Sequence, residues 1–198
     1  MGGSAQKRAV IFDFDGTIAD SLPAIIAVTE DLIGRTEPYT PAQIDEMRDL
    51  SIPDLLKVLG VPKWKAILLL FRGRRMLKAH MHGIDVHTGM RAAIQELHSA
   101  GVPLYVLSSN STENVQKYLQ WHKLEQYFSG VYGGVSVLGK APRLLSLLKK
   151  EQVDTQASWY VGDETRDVIA ANAVGLNMAA VSWGYNTHGA LAAHGQMQ

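Results

Sequence analysis

The first ordered pattern in the chain is an unbroken apolar run, Ala9-Val10-Ile11-Phe12, that stops at Asp13-Phe14-Asp15-Gly16-Thr17. A short apolar run ended by a Gly-Thr turn predicts a buried strand. From Ser21 to about His87 the pattern is helical, punctuated by Pro38, Pro41, Pro53 and Pro62, with no segment of strand character. From Gly89 onward strands and helices alternate. The spacing predicts a helix over Met90–Ala100, with Ile94 and Leu97 apolar and Gly101 ending it, and a strand over Val102–Leu107. It predicts a helix over Glu113–Trp121 capped by Ser111 or Thr112, and a short strand over Gly130–Gly133. A helix over Pro142–Lys150 carries Leu144, Leu145, Leu147 and Leu148. A strand over Ser158–Val161, a helix over Arg166–Val174 ended by Gly175 and a strand over Met178–Val181 complete the series. Strands alternating with helices predict a parallel sheet with right-handed crossovers. The expected fold class is therefore α/β: a three-layer, Rossmann-like parallel-sheet core of residues 5–20 and 88–190. An all-helical cap domain, residues 21–87, is inserted after the first strand. An insertion beside paired aspartates is placed to act as a lid.

Asp13 and Asp15 stand on alternate positions, so in a strand they share a face. As the strand ends, both reach one small volume at its C-terminal edge, where open parallel sheets bind ligands. Carboxylates this close repel unless a cation sits near them. The pair asks for a hard metal, most simply Mg²⁺. Ser108-Ser109-Asn110 follows the second strand and precedes a helix, a place where small side chains and free backbone N–H groups make either an anion site or an ordinary cap. Gly134, Gly139 and Lys140 have the spacing of a phosphate-binding loop, but Ala141 stands where that motif needs Ser or Thr for its metal. The better use of Lys140 is as a fixed cation that neutralises a phosphate and a carboxylate in one pocket. Asp163 follows the next strand, and Asp167 comes one helical turn later, above it. Both suit a metal site, while Glu164 and Asp167 also suit a helix N-terminus.

Composition narrows the classes. The 198 residues are 46% hydrophobic, enough for one domain with an insertion. Lys+Arg and Asp+Glu are both 19, a formal net charge of zero that gives no electrostatic footprint for nucleic acid. The absence of cysteine excludes disulfides, thiolate metal sites and a Cys nucleophile. No apolar run reaches the roughly 18–20 residues of a membrane span, and Met1-Gly2-Gly3-Ser4 is too short and polar for a signal peptide. The expectation is a cytoplasmic protein, monomer or homodimer, with neither nucleic acid nor membrane as partner.

Taken together, Asp13-Phe14-Asp15-Gly16-Thr17, Ser109-Asn110, Lys140 and Gly162-Asp163-x-x-x-Asp167 resemble, in order, the four motifs of the haloacid dehalogenase-like (HAD) hydrolase superfamily. The resemblance covers nearly the whole chain, with the helical segment in the place of that family's cap. Asp13 to Ser21 and Trp183-Gly184-Tyr185-Asn186 resemble the phosphoglycolate-phosphatase-like branch, although the chain stops at Gln198 where such proteins usually add a short strand and helix. The resemblance implies a Mg²⁺-dependent phosphatase acting on a small phosphorylated metabolite. Asp13 would be the nucleophile and Asp15 the general acid and base. Ser109, Asn110 and Lys140 would meet the phosphoryl group. The metal would be held by Asp13, the Asp15 carbonyl and Asp163, with Asp167 behind them orienting Lys140 or a metal-bound water. Carbon–halogen displacement needs no acid at Asp15, so dehalogenation is disfavoured. A phosphotransferase or phosphomutase would use the same nucleophile. A non-catalytic binding protein of the same fold would have no need of intact Asp13, Asp15, Lys140 and Asp163.

In the cap, Ala66 to Met81 forms a helical wheel with Ile67, Leu70, Phe71, Leu77 and Met81 on one stripe and Arg74 and Lys78 near its middle. At least one of the two, Arg74 first, is expected to face the cleft and meet an anionic substrate, unless both turn out of a packed face or Gly73 breaks the helix. His80, His82 and His87 lack a carboxylate close in sequence and are expected at the surface. Trp64, Trp121, Trp159 and Trp183 are expected to pack in the core or cap.

Overall fold

The computed structural model describes residues 6–50, 52–62, 65, 81–135 and 139–194. Trp64, Arg74, Lys78, His80 and the predicted helix up to residue 80 lie outside the described residues.

Five parallel strands form one sheet: β1 (Val10–Phe12), β2 (Leu104–Leu107), β3 (Gly130–Tyr132), β4 (Trp159–Gly162) and β5 (Asn177–Ala180), in the order β3-β2-β1-β4-β5. β2 begins after Pro103, which has no N–H for a ladder, rather than at Val102. Phe12 pairs with Val106 on one side and Val161 on the other. That level register brings the residues after each strand, Asp13, Ser108 and Asp163, out at one edge.

The two-residue alternation splits the core. Ile11, Tyr105, Leu107 and Tyr160 face helices α6 (Lys140–Glu151), α7 (Thr165–Val174) and α8 (His188–Ala192). Val10, Phe12, Leu104 and Val106 face α4 (Met90–Ser99) and α5 (Thr112–Trp121). This is the three-layer α/β core expected from the pattern. The Ser111 hydroxyl accepts from the Asn114 N–H at 3.2 Å, so Ser111 rather than Thr112 caps α5. Helix α6 starts at Lys140, two residues before the expected Pro142. Proline fits there because first-turn N–H groups have no partner within the helix. Leu144, Leu147 and Leu148 are buried, whereas Leu145 points outward.

Among the described residues, three α-helices lie between β1 and α4 in sequence: α1 (Leu22–Ile33), α2 (Pro41–Arg48) and α3 (Ile52–Val58). A capping box of Thr40 and Gln43 opens α2. The chain leaves and returns through paired linkers. Ala19 bridges Val86 antiparallel, the Asp20 N–H donates to the Asp85 carbonyl at 2.9 Å, and the His87 N–H donates to the Ile18 carbonyl at 2.9 Å. Among the described residues, no helix is long and apolar enough to cross a membrane.

Two side-chain expectations need correction. Trp121 and Trp183 are each 46% exposed, and only Trp159 packs against the core among the described tryptophans. Trp121 instead meets the exposed His82 ring in a tilted contact, with the ring centroids 4.8 Å apart. His87 is not a surface residue without a carboxylate. Its side chain is 11% exposed, its Nε2 lies 3.7 Å from Asp20 Oδ1, and its ring leans on Trp183. The linker pairing, invisible in a one-dimensional pattern, brings His87 to Asp20.

Candidate active site

Asp13 extends the β1 ladder by one bond, its N–H donating to the Val161 carbonyl at 2.8 Å. Its buried carboxylate then receives the Phe14 N–H on Oδ1 at 2.8 Å and Lys140 Nζ on Oδ2 at 2.6 Å. Lys140 is the first residue of α6, which is what aims its side chain back at the strand ends. Its ammonium is also bonded to Asp167 Oδ1, and Asp167 Oδ2 accepts the Glu164 N–H at 3.1 Å. Burial alone would lower the Lys140 pKa, but the Asp13 and Asp167 carboxylates outweigh it and hold the ammonium charged. Asp167 is thus bonded to Lys140, one of the two places where it was expected.

Asp163 is completely buried. Its Oδ1 accepts from the Thr17 hydroxyl at 2.6 Å and its Oδ2 from the Tyr185 N–H at 2.7 Å. Gly16, at φ +79°, lets the turn after Asp15 press against it, since a Cβ there would sit 2.2 Å from Asp163 Oδ2. Asp15 is half-buried, and its Oδ2 accepts from Asn110 Nδ2 at 3.3 Å. Burial first, and the neighbouring Asp13 carboxylate second, push the Asp15 pKa up to about 7. Asn110 is fixed from the other side, with its Oδ1 accepting the Ser111 N–H at 2.9 Å and Asn114 Nδ2 at 3.0 Å. Ser109 is half-buried at the same strand end. Asn110, expected at an anion site, therefore turns its amide to Asp15.

One carboxylate oxygen from each of Asp13, Asp163 and Asp167 lies within 4.8 Å of the others. Lys140 bonds to two of the three carboxylates, and both hydrogen-bond donors to Asp163 are neutral. Burial, reinforced by the Asp13 charge, raises the Asp163 pKa well above the usual carboxylate range. An all-oxygen donor set with uncompensated buried negative charge fits a hard divalent cation. Arg166, ion-paired with Glu164 and half-buried, adds a second cation beside the cluster. Arg166 and Glu164 also border a cavity of about 240 Å³, walled by apolar residues of α1 to α3 such as Leu22, Ile25 and Leu55.

A parallel α/β sheet whose strand ends gather buried carboxylates around a lysine is the setting of the match that follows: the chain belongs to the haloacid dehalogenase-like hydrolase family, whose model matches residues 10–181. That match runs from the start of β1 to just past β5, so it takes in every strand end of the site. The chain is 36% identical to a phosphoglycolate phosphatase of Synechococcus elongatus, over 94% of this chain and 89% of that protein. It is 29% identical to a phosphoglycolate phosphatase of Pseudomonas fluorescens, over 92% and 71%. A haloacid dehalogenase-like family hydrolase of Streptococcus pneumoniae has the same fold, with a TM-score of 0.77 at 22% identity over 95% of this chain and 90% of that one. Family and relatives together make the chain a phosphoric monoester hydrolase.

Lys140 joins Asp13 to Asp167, Asn110 bonds to Asp15, and Asp163 lies within 4.8 Å of Asp13 and Asp167 without bonding to either Lys140 or Asn110. Arg74 lies outside the described residues. Sequence reasoning missed the roles of Thr17 and Tyr185 on Asp163. Both stand in stretches singled out for the family resemblance, but a backbone N–H that grips a carboxylate leaves no residue-type signal.

Proposed function

We propose that the chain hydrolyses a small phosphomonoester through an aspartyl-phosphate on Asp13, with Mg²⁺ as cofactor and residues 21–87 as a cap over the core of residues 5–20 and 88–190. The observation that carries this reading is the asymmetry of the two aspartates. Lys140 grips Asp13 at 2.6 Å, while burial and the Asp13 charge push Asp15 up to about 7. A carboxyl group poised there gives a proton and takes one back at neutral pH.

In the first half-reaction a carboxylate oxygen of Asp13 bonds to phosphorus as the bond from phosphorus to the leaving oxygen breaks, and Asp15 gives that oxygen its proton. In the second, the Asp15 carboxylate takes a proton from water as the water oxygen bonds to phosphorus. The bond between phosphorus and Asp13 breaks, which releases phosphate and restores both side chains. Lys140 and Ser109 neutralise the phosphoryl oxygens as charge shifts among them. Asp167 keeps Lys140 in place, and Asn110 keeps the Asp15 carboxylate turned toward the cleft. Asp13, the Asp15 carbonyl and Asp163 would hold Mg²⁺, which supplies charge neutralisation for the transferring group. The names of the relatives in Synechococcus and Pseudomonas favour 2-phosphoglycolate as the substrate.

Release of phosphate from 2-phosphoglycolate and a panel of phosphorylated metabolites, with Mg²⁺ or EDTA, tests the reading. Wild type should turn over only with Mg²⁺, and Asp13→Asn should not turn over at all. Turnover that survives Asp13→Asn removes the nucleophile assignment. Substrate consumption that requires an added acceptor alcohol and forms its phosphate ester, without release of inorganic phosphate, makes the chain a phosphotransferase.

A further inference from the structure

The loop after β5, residues 182–187, touches both the acidic cluster and the helical segment. On its inner side, Tyr185 N–H donates to Asp163 Oδ2 at 2.7 Å, Asn186 N–H donates to the Asp163 carbonyl at 3.2 Å, and Asn186 Oδ1 accepts the Thr165 N–H at 2.8 Å. Gly184 allows this contact, because a Cβ there would lie 2.2 Å from Asp163 Oδ2. On its outer side the same loop is held by the end of α2. Arg48 Nε donates to the Tyr185 carbonyl at 3.2 Å, and Arg48 Nη2 donates to the Ser182 carbonyl at 2.8 Å. Asn186 Nδ2 returns a bond to the Arg48 carbonyl at 2.6 Å, and the Thr187 hydroxyl bonds to Asp49.

Tyr185 and Asn186 therefore carry bonds in both directions. Tyr185 grips the Asp163–Thr165 turn with one polar group and Asn186 with two, and each meets Arg48 with another. A shift of α2 away from the loop breaks four polar links and frees the segment whose backbone orients the Asp163 carboxylate. Conversely, any ligand that fixes Asp163 stiffens the loop and favours the docked position of α2. Coupling of this kind is reciprocal by thermodynamic necessity.

We propose that Arg48 and Asn186 are positioning residues that join the seating of Asp163 to the docking of helix α2, so that divalent-cation binding and the docking of α2 are one linked event. This rests on the reading of Asp163 as a metal ligand. Neither residue touches the reacting atoms; each acts through the Tyr185–Asn186 backbone.

The test measures binding of Mn²⁺ alone by electron paramagnetic resonance, together with hydrogen exchange over residues 41–48 with and without Mg²⁺. Wild type should bind Mn²⁺, and Mg²⁺ should slow exchange in α2. Arg48→Ala should weaken Mn²⁺ binding about tenfold, the low end of what removing a partner behind a metal ligand costs, and should abolish the Mg²⁺ effect on α2. Arg48→Lys, which keeps one donor, should restore part of both. Asp45→Ala removes only the 3.0 Å surface partner of Arg48 and should change neither. If Arg48→Ala does not fold, Asn186→Ala provides the same comparison. Mn²⁺ binding with no Mg²⁺ effect on α2 in wild type overturns the linkage alone, as does the same Mg²⁺ effect in wild type and Arg48→Ala. No Mn²⁺ binding by wild type overturns the metal reading as well.

Discussion

Replacing Asp163 by Asn should stabilise the metal-free protein and destabilise it relative to wild type once Mg²⁺ is added. Asp163 is completely buried, with Asp13 and Asp167 close by and only neutral donors bonded to it. Burial and the Asp13 charge raise its pKa in the folded state. The unfolded chain, with the lower pKa, releases this proton first as pH rises, so the group costs stability above the unfolded value. Asparagine fits the same place. Its Oδ1 accepts the Tyr185 N–H, its Nδ2 replaces the oxygen facing Thr17, and the Thr17 hydroxyl turns from donor to acceptor. Relief of such a functional-site cost is commonly worth about 0.5–2 kcal/mol, or roughly 1–8 °C in Tm at about 2–4 °C per kcal/mol for a chain of this size. Wild type in Mg²⁺ at about a hundred times Kd gains about 2.7 kcal/mol by mass action, a gain the variant loses with its ligand. Thermal unfolding of both proteins in EDTA and in Mg²⁺ should therefore show the order of stability reversing. Asp163→Asn melting below wild type in EDTA refutes the reasoning, since the carboxylate would then be net stabilising through its two hydrogen bonds.

Asn110→Ala removes the 3.3 Å bond that turns Asp15 while leaving Asp13 and Lys140 untouched. It should lower kcat about tenfold or more with little change in KM; a pure KM effect would assign Asn110 to substrate binding instead. His87 is held neutral by burial, which lowers its pKa against the smaller opposing pull of Asp20. Its stabilising contribution is present above the unfolded value of about 6.5 and is lost as pH falls below it. The fall in urea midpoint between pH 7.5 and 5.5, measured in EDTA, should shrink in His87→Gln, and an unchanged fall counts against the buried neutral ring.

The alternation of strands and helices was legible because the central strands β1 and β2 are buried on both faces and helices α4, α5 and α6 each have one apolar stripe. What the pattern misplaced were ends. Helix α6 begins at Lys140 because helix starts depend on backbone geometry at Gly139, while the apolar signal starts only at Leu144. Those two residues matter, since they put Lys140 on the first turn, facing Asp13. The carboxylates and the lysine were legible as residue types with a fixed spacing. Asn110 on Asp15 was not, because the anion-site reading of that turn used the same polar atoms. The Arg48 contacts were beyond reach for a different reason. Arg48 lies 137 residues from Tyr185, and its partners are carbonyl groups that every residue carries. His87 shows the same limit, since its carboxylate partner sits at the far end of the inserted helices.

The paired linkers carry a consequence for how such a chain can be rebuilt. Ala19 and Val86 face each other across a single antiparallel bridge, so the exit and re-entry points of the helical excursion are neighbours. The sheet sees a hairpin neck and is indifferent to how much chain lies beyond it, because lengthening a loop whose ends are already fixed adds only slowly to its entropic cost. The stretch between the linkers can therefore change in length without moving Asp13 and Lys140, provided that a contact equivalent to that of Arg48 still holds the loop that seats Asp163.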